Sequence, residues 1–289
     1  MDVWVAVVII AIAVSTAYSA WKQTSFSIIV SATCIFAFMI ELIADQSTTS
    51  GILSELGFRP TDITHPARLY TVLTSMYTHA GFTHLFWNLL GLIFIGMMFE
   101  QRIGARPFIL LYFLSGLVGT LVFAALHWNS AALVVGASGA ISGVLGGFAR
   151  LFPNERLTMI IMVFPLPPMP IWIIVGIFVF IQLLLIPISS NIAFEAHLGG
   201  LAAGILLAPL VVKMPLHKRM KRMISLSSVR KLATTPELKS ILRRIEEEEL
   251  PDVKSAWIEH FLSKARCPHC GSPLRATKEA VVCEKGHLI

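Results

Sequence analysis

Apolar residues occur along the chain in long runs that are separated by short polar segments. The runs cover residues 3–20, 26–43, 84–99, 108–126, 138–152, 171–186 and 194–212. Their lengths of 15–19 residues approach the length of about 20 residues that an α-helix needs to cross a bilayer. The pattern therefore predicts an all-α polytopic membrane protein with seven membrane-spanning helices.

The first run has a second interpretation. Residues 17–20 read Ala-Tyr-Ser-Ala, which resembles a signal-peptidase cleavage site, but the preceding Met-Asp-Val has no basic residue. We interpret residues 1–25 as an extra N-terminal transmembrane helix, although a core of six helices satisfies the rest of the pattern equally well.

Two connections between the runs are unusual. Residues 44–82 form a long amphipathic segment, which predicts a functional loop or short helices of its own. Residues 157–170 are apolar but contain four prolines, and proline at this density cannot lie inside a helix. We expect that second segment to be a loop at the membrane interface.

Composition excludes an ordinary soluble domain. Only 14% of the residues are charged, 55% are hydrophobic and the mean hydropathy is +0.74, whereas soluble domains carry about 25% charged residues. The net charge of +6 comes largely from the segment after the last run. Its basic residues predict a cytoplasmic C-terminus by the positive-inside rule. They are Lys213, His217, Lys218, Arg219, Lys221, Arg222, Arg230 and Lys231.

The same rule orients the rest of the chain. Seven spans bring Lys22, Arg102, Arg106, Arg150 and Arg156 to the cytoplasmic side as well. Under either count of spans, the runs that begin near residues 138 and 197 start on the opposite, non-cytoplasmic side. We expect the protein to lie in the cell membrane.

Two of these runs carry a polar residue among small ones. Ser138 precedes Gly139, Gly143 and Gly147, and His197 is followed by Gly200 and Gly204. Small residues at a spacing of four allow two membrane helices to approach closely. If these rows face each other, the serine and the histidine lie near one another. The alternative is a pair of ordinary packing motifs with incidental polar residues.

A third polar set begins the run at residue 84. His84 and Asn88 lie four residues apart, on one helix face, and His79 precedes them. An unsatisfied polar group in hydrocarbon costs several kcal/mol, so these side chains need partners. They either hydrogen-bond neighbouring helices or act as donors to an oxyanion, as acyl transfer requires.

Taken in order, four motifs resemble those of the rhomboid family of intramembrane serine proteases. They are His79-x4-His84-x3-Asn88, Glu100-x-Arg102, Gly136-Ala137-Ser138-Gly139 and Ala196-His197-x-x-Gly200. The resemblance covers residues 26–214 and implies a six-helix rhomboid protease core.

The resemblance also implies roles for individual residues. Ser138 corresponds to the nucleophile and His197 to its general base and acid, as a dyad with no carboxylate near either motif. His84, Asn88 and the backbone N–H of Ser138 correspond to the oxyanion hole. The resemblance further implies that the substrates are single-span membrane proteins and that catalysis uses no cofactor.

Three further residues are given supporting roles by the resemblance. His79 would stabilise the site through hydrogen bonds, and Glu100 and Arg102 would brace the loop after the third run. The family often has Trp-Arg in its long first loop, where this chain has Ala67-Arg68. This departure leaves open how the loop is anchored.

The end of the chain differs in character. Residues 215–265 predict a cytoplasmic basic and helical linker, and residues 266–289 a zinc-ribbon-like module. Cys267 and Cys270, followed by Cys283 and His287 after a strand-like hairpin, predict a structural Zn²⁺ site, with free thiols as the alternative. His269 is expected to point outward. The sequence identifies neither a partner for this module nor an oligomeric state.

Other functions remain open at this point. A catalytically silent rhomboid-like protein that binds membrane proteins is one, and it would not need both Ser138 and His197. A transporter that uses His84, Asn88 and His197 as an ion path is another, although the chain lacks the carboxylates and inverted repeat expected of one. Nucleic-acid binding depends on the ribbon and the basic segment alone.

Overall fold

The predicted apolar runs fold as helices. The computed structural model describes residues 3–44, 51–158, 160–161, 164–165, 167–186, 193–214, 226–248, 251–276 and 281–287. The chain divides into two compact units, Met1–Leu216 and His217–Ile289, and each is described by itself. Part of the predicted basic segment, residues 215–225, lies outside the described residues.

Each predicted run contains one helix of the first unit, so the prediction of an all-α polytopic membrane protein is confirmed. Within the described residues, five helices are long and apolar enough to cross a membrane. The other two, α5 and α6, have 14 and 15 residues. The helices are α1 Val3–Lys22, α2 Phe26–Ala44, α3 Phe82–Ile103 with a π-helical segment at Gly91–Gly96, α4 Ala105–Leu126, α5 Ser138–Leu151, α6 Ile171–Leu185 and α7 Phe194–Lys213.

Helix α5 is short because it lies inside the bundle. Fourteen residues extend about 21 Å, less than the hydrocarbon thickness of about 30 Å. More than half of its residues are buried, and it packs chiefly against α7 and α4. A short central helix can therefore begin below the membrane surface, with Ser138 as its first residue.

The predicted contact between the two glycine rows is present. A Cβ atom at Gly200 would overlap the carbonyl oxygen of Gly139, and one at Gly204 would overlap that of Gly143. Gly147 continues the row against side chains of α4 and α7. The helices α5 and α7 run in the same direction with their backbones in contact, as small-residue motifs allow. Their first turns are therefore neighbours.

Short helices fill the long connection before α3, as predicted. Its anchor is Arg68, whose guanidinium pairs with the Glu55 carboxylate at 2.8 Å and donates to the Ser54 carbonyl at 2.9 Å. Arg68 thus anchors the loop although no tryptophan precedes it; residues 45–50 of the connection lie outside the described ranges. The short helices are Ile52–Leu56, Pro60–Thr64, Pro66–Arg68 and Thr71–Thr74.

The end of the bundle opposite Ser138 is held by charged groups. The carboxylate of Glu100 accepts hydrogen bonds from the backbone N–H groups of Phe26 and Ser27, the latter at 2.8 Å. Glu100 therefore caps the N-terminus of α2 rather than bracing the loop after α3, because orphan N–H donors at a helix start attract a carboxylate. Arg102 pairs with Glu155, beyond the end of α5, at 2.7 Å.

The proline-rich segment after α5 is not simply the loop that the sequence predicted. Arg156–Leu157 pairs antiparallel with Met169–Pro170, and Ile160–Ile161 pairs with Phe164–Pro165. Two of the prolines end strands, where a missing N–H group is tolerated. Residues 159, 162–163 and 166 lie outside the described set.

The second unit combines helices with a small hairpin. Its helices are α8 Leu226–Leu232, α9 Pro236–Glu247 and α10 Pro251–Lys264, and its strands are Leu274–Ala276 and Val281–Cys283. Helix α9 begins with an N-cap in which the Thr235 hydroxyl accepts from the Leu238 N–H at 3.2 Å. Helices and hairpin share one apolar core, so the segments expected as linker and ribbon fold as a single unit.

Candidate active site

Ser138 is the first residue of α5, and the turn before it requires glycine. Gly136 has φ of +111°, and a Cβ atom there would lie 2.6 Å from Nε2 of His84. Its N–H donates to the Ser75 carbonyl at 2.8 Å, which ties the turn to the long loop. Positive φ and lack of space both select glycine here. The turn thus brings the Ser138 hydroxyl close to His84.

His197 lies in the first turn of α7, directly opposite. Its Nε2 is 2.7 Å from the Ser138 hydroxyl oxygen, although 59 positions separate the two residues. The rings of Phe178 and Phe194 are neighbours of the His197 ring, each with its centroid 6.5 Å away. The structure thus brings the two predicted dyad residues into hydrogen-bond contact.

The second nitrogen of His197 has a partner that was not predicted from the sequence. Nδ1 lies 3.0 Å from Oε1 of Gln182 on α6. The available signal was that Gln182 is the only amide or charged side chain in an otherwise apolar helix. A carboxylate is the usual partner of a catalytic imidazole, and this amide occupies the corresponding place.

The prediction that no carboxylate lies near either motif is wrong along the sequence, because Glu195 precedes His197 by two residues. In the structure, however, Glu195 contacts Nε2 of His127 at 3.1 Å. Residues two apart on a helix point in different directions. Glu195 therefore links the ends of α4 and α7 and makes no hydrogen bond to His197, whose ring nitrogens face Ser138 and Gln182.

The two predicted oxyanion residues lie together beside Ser138. Nδ2 of Asn88 donates to the His84 carbonyl at 2.8 Å, and both residues line the same cavity. The N–H of Ala80 donates to Nδ1 of His84 at 3.4 Å, so the ring proton belongs on Nε2, the nitrogen beside Gly136. His84 can therefore donate toward the space next to the hydroxyl.

His79 contributes by packing. Its buried ring lies edge-on to that of His84, with centroids 5.2 Å apart, and the Tyr77 backbone is a polar neighbour. Burial, with His84 alongside, lowers the pKa of His79 to about 3, so the ring is neutral at physiological pH. The observed contact with His84 is ring packing; the predicted support of the site by His79 through hydrogen bonds remains a prediction.

One cavity of about 970 Å³ is lined by the four residues at the centre of the site, Ser138, His197, His84 and Asn88. Apolar and aromatic side chains form much of the remaining wall, and the largest of them are Met76, Phe82, Trp87, Leu133, Ile141 and Phe178. A volume of this size can hold several residues of an extended peptide. The hydroxyl, the imidazole and the nearby donors thus face one shared space.

The second unit contains the predicted metal-ligating set. Ligand atoms of Cys267, Cys270, Cys283 and His287 all lie within 4.8 Å of one another. The Cys270 and Cys283 sulfurs are 3.6 Å apart, too far for a disulfide, and Nδ1 of His287 is 3.4 Å from the Cys283 sulfur. Tetrahedral Zn²⁺ with Zn–S bonds near 2.3 Å separates neighbouring sulfurs by about 3.8 Å. The set therefore fits a zinc ion.

The surroundings of this set also suit a metal. Gly271 follows the first ligand pair and Gly286 lies between the two members of the second, and each has positive φ in a tight turn. Hydrogen bonding to Ser272 lowers the pKa of Cys270 to about 6, which favours the thiolate that binds metal. His269 is exposed and lies outside the set, as predicted.

Comparisons with known proteins match part of the chain to rhomboid proteins. A sequence model of the Rhomboid domain matches residues 66–214, just over half of the chain. The chain is 33% identical to RHOMBOID-like protein 1 of Arabidopsis thaliana over 50% of its own length and 35% of that protein. It is 34% identical to the putative rhomboid protease YdcA of Bacillus subtilis (strain 168), over 50% and 68%.

One relative shows that the family includes members without activity. The Inactive RHOMBOID-like protein 8 of Arabidopsis thaliana is 32% identical over 35% of the chain and 30% of that protein. The chain also spans only about a third of the first Arabidopsis relative. Membership and activity are therefore separate questions.

Proposed function

The chain belongs to the rhomboid family, and from this premise we propose that it is an intramembrane serine endopeptidase that cuts transmembrane segments of other proteins. The observation that carries the proposal is the 2.7 Å contact between the Ser138 hydroxyl and Nε2 of His197, inside a cavity of the membrane unit. A hydroxyl and an imidazole inside a membrane-spanning bundle cost free energy, and a protein without a chemical use for them has no reason to carry both.

The reaction follows from the two side chains. Neutral His197 takes the hydroxyl proton onto Nε2 while the Ser138 oxygen forms a bond to the carbonyl carbon of the scissile peptide. The C–N bond then breaks, and the imidazolium gives that proton to the leaving amine. A water molecule, deprotonated by the same nitrogen, releases the acyl group and restores the serine.

The oxyanion formed during attack needs donors. The first N–H groups of α5, starting with that of Ser138, have no partner within the helix. Nε2–H of His84 lies beside them, and the Asn88 amide, now bonded to the His84 carbonyl, can turn toward the cavity. Removal of one such donor costs about a hundred- to a thousandfold in rate.

We further propose the membrane topology and the class of substrate. Helices α5 and α7 begin at the site and end near Arg102, Glu155 and Lys213, the end that the positive-inside rule assigns to the cytoplasm. The site then opens to the non-cytoplasmic face of the cell membrane, from which water enters. Single-span membrane proteins that unwind near that face are the proposed substrates.

The test uses purified protein with single-span model substrates. Ser138→Ala and His197→Ala are expected to abolish cleavage, whereas Ser142→Ala should retain it within a few-fold. Ser142 lies one turn further on α5 and lines the same cavity, but its hydroxyl is occupied by the Ser138 carbonyl at 2.7 Å. Cleavage by Ser138→Ala at the rate of the unmodified protein would contradict the proposal.

The relative named inactive makes a non-catalytic binder of membrane proteins the competing function. A fluorophosphonate probe separates the two, because it reacts only with an activated serine. A binder would leave Ser138 unlabelled while it still retains the model substrate.

For the second unit we propose a structural zinc ion held by Cys267, Cys270, Cys283 and His287. The tetrahedral spacing of the ligand atoms supports it. All four coordination positions would be filled by protein, so the ion would stabilise the fold and leave no open position for catalysis.

A further inference from the structure

Gln182 is a polar residue in an apolar helix. Its side chain is 8% exposed, whereas Ile181, Leu183 and Leu184 beside it are 44%, 55% and 53% exposed and face outward. An amide inside the membrane costs several kcal/mol unless its groups are bonded. Its Oε1 lies 3.0 Å from Nδ1 of His197. The one amide of α6 is thus directed at the imidazole of the site.

This contact controls which nitrogen of His197 carries the proton. When Oε1 accepts, the proton is on Nδ1 and the lone pair on Nε2 faces the Ser138 hydroxyl. When the amide nitrogen donates instead, the proton moves to Nε2, which can then no longer accept from the hydroxyl. Only the first arrangement allows His197 to act as a base.

We propose that Gln182 is a positioning residue that holds His197 in its reactive tautomer, the role that a buried carboxylate has in Ser-His-Asp triads. The inference rests on the proposed protease function. The nearby carboxylate, Glu195, is engaged by His127 at 3.1 Å and does not take this role. Productive catalysis then requires α6 to be in place beside α5 and α7.

Two substitutions at the same position distinguish positioning from packing. Gln182→Leu keeps the volume and removes the acceptor; it should lower kcat by ten- to a hundredfold with little change in KM. Gln182→Glu can only accept when ionised and should retain most of the activity. Because a carboxylate stabilises imidazolium, it should also move the acid limb of the kcat pH profile to higher pH.

A role in packing alone predicts the reverse. Leucine would then be tolerated in this apolar helix and glutamate would be harmful. Leu183→Ala, an exposed position on the same helix, is the matched control and should leave kcat unchanged. Thermal unfolding in detergent checks that each variant is folded, and if Gln182→Leu does not fold, the pH profile of Gln182→Glu decides alone.

The outcomes separate this inference from the function on which it rests. If the unmodified protein neither cleaves substrate nor reacts with fluorophosphonate, the proposed function fails, and this inference with it. If the unmodified protein and Leu183→Ala are active, then a folded Gln182→Leu with full kcat overturns the role of Gln182 alone. An unshifted pH profile in Gln182→Glu does the same.

Discussion

The interface between α5 and α7 and the core of the second unit are built in opposite ways. In the first, Gly139 and Gly143 meet Gly200 and Gly204, and the closest contacts are between backbones. In the second, large side chains such as that of Phe261 are fully buried. Lipid is as apolar as leucine, so burial of apolar surface does not drive helix association in a membrane, whereas in water it does.

This difference in packing determines which changes each unit tolerates. The membrane unit holds its helices by close approach and by polar contacts between different helices, so small changes of shape move Ser138 relative to His197. The second unit is too small for its apolar core alone to supply much stability. We expect its cohesion to depend on the metal, and its residues to tolerate changes away from the four ligands.

Loss of the metal should have the largest effect, confined to the second unit. Binding of structural zinc supplies on the order of 10 kcal/mol of folding free energy in small metal-dependent folds. Chelation of the full chain should therefore expose residues 226–287 to limited proteolysis, while fluorophosphonate labelling of Ser138 persists. Metal analysis should find about one zinc per chain.

Cys270→Ser and His269→Ala form the matched pair for this prediction. The first removes a ligand and should lose the metal; the second alters an exposed neighbour of the ligands and should keep it. Equal zinc content in both variants would mean that the four residues do not form the site.

The second largest effect should come from filling the glycine contact. Gly204→Val would drive a side chain into the Gly143 carbonyl, and a backbone atom in a central helix cannot move aside. Overpacking typically costs about 1–3 kcal/mol, and we expect the upper end or more here. Gly176→Val on α6 meets nothing within 4 Å and is the control. Thermal unfolding and cleavage should both fall for the first and neither for the second.

A smaller effect should follow from Glu100→Gln. Glu100 accepts from Phe26 N–H, and from the N–H and hydroxyl of Ser27 at 2.8 and 2.7 Å. Glutamine has one acceptor oxygen and would turn an amide donor toward these donors. We expect a loss of about 1–3 kcal/mol, seen as a lower Tm. An unchanged Tm would mean that the cap at α2 contributes nothing to the bundle.

Much of the helical architecture could be predicted because it depends on local pattern. The lengths of the apolar runs predicted the helices. The spacing of Gly200 and Gly204 from His197 predicted which face of α7 contacts α5. The hairpin after α5 could not be predicted in this way, because proline density excludes a helix without choosing between a loop and short paired strands. The cap of α2 by Glu100 joins residues far apart in sequence, which no local pattern specifies.

The candidate site also contains residues that the sequence could identify and one contact that it could not. Ser138, His197, His84 and Asn88 stand in recognisable motifs at helix starts, so they could be singled out from the sequence. The partner of Nδ1 could not, because the rotation of α6 about its axis decides whether Gln182 faces His197 or lipid, and that rotation follows from packing. Glu195, two residues before His197, contacts His127, so an amide and not a carboxylate is the partner of Nδ1.

The smallest effect should come from the ion pair at the end of the bundle opposite Ser138. The side chains of Arg102 and Glu155 are 27% and 24% exposed, so water screens their 2.7 Å contact. A double-mutant cycle with Arg102→Ala and Glu155→Ala should give a coupling of up to about 1 kcal/mol, measured by thermal unfolding. Glu100 is a buried helix cap, whereas Arg102 and Glu155 form a partly exposed ion pair. A coupling free energy as large as the loss of stability in Glu100→Gln would contradict the expectation that the buried cap contributes more. It would also mean that the segment after α5, and not only the helix contacts, holds the membrane unit together.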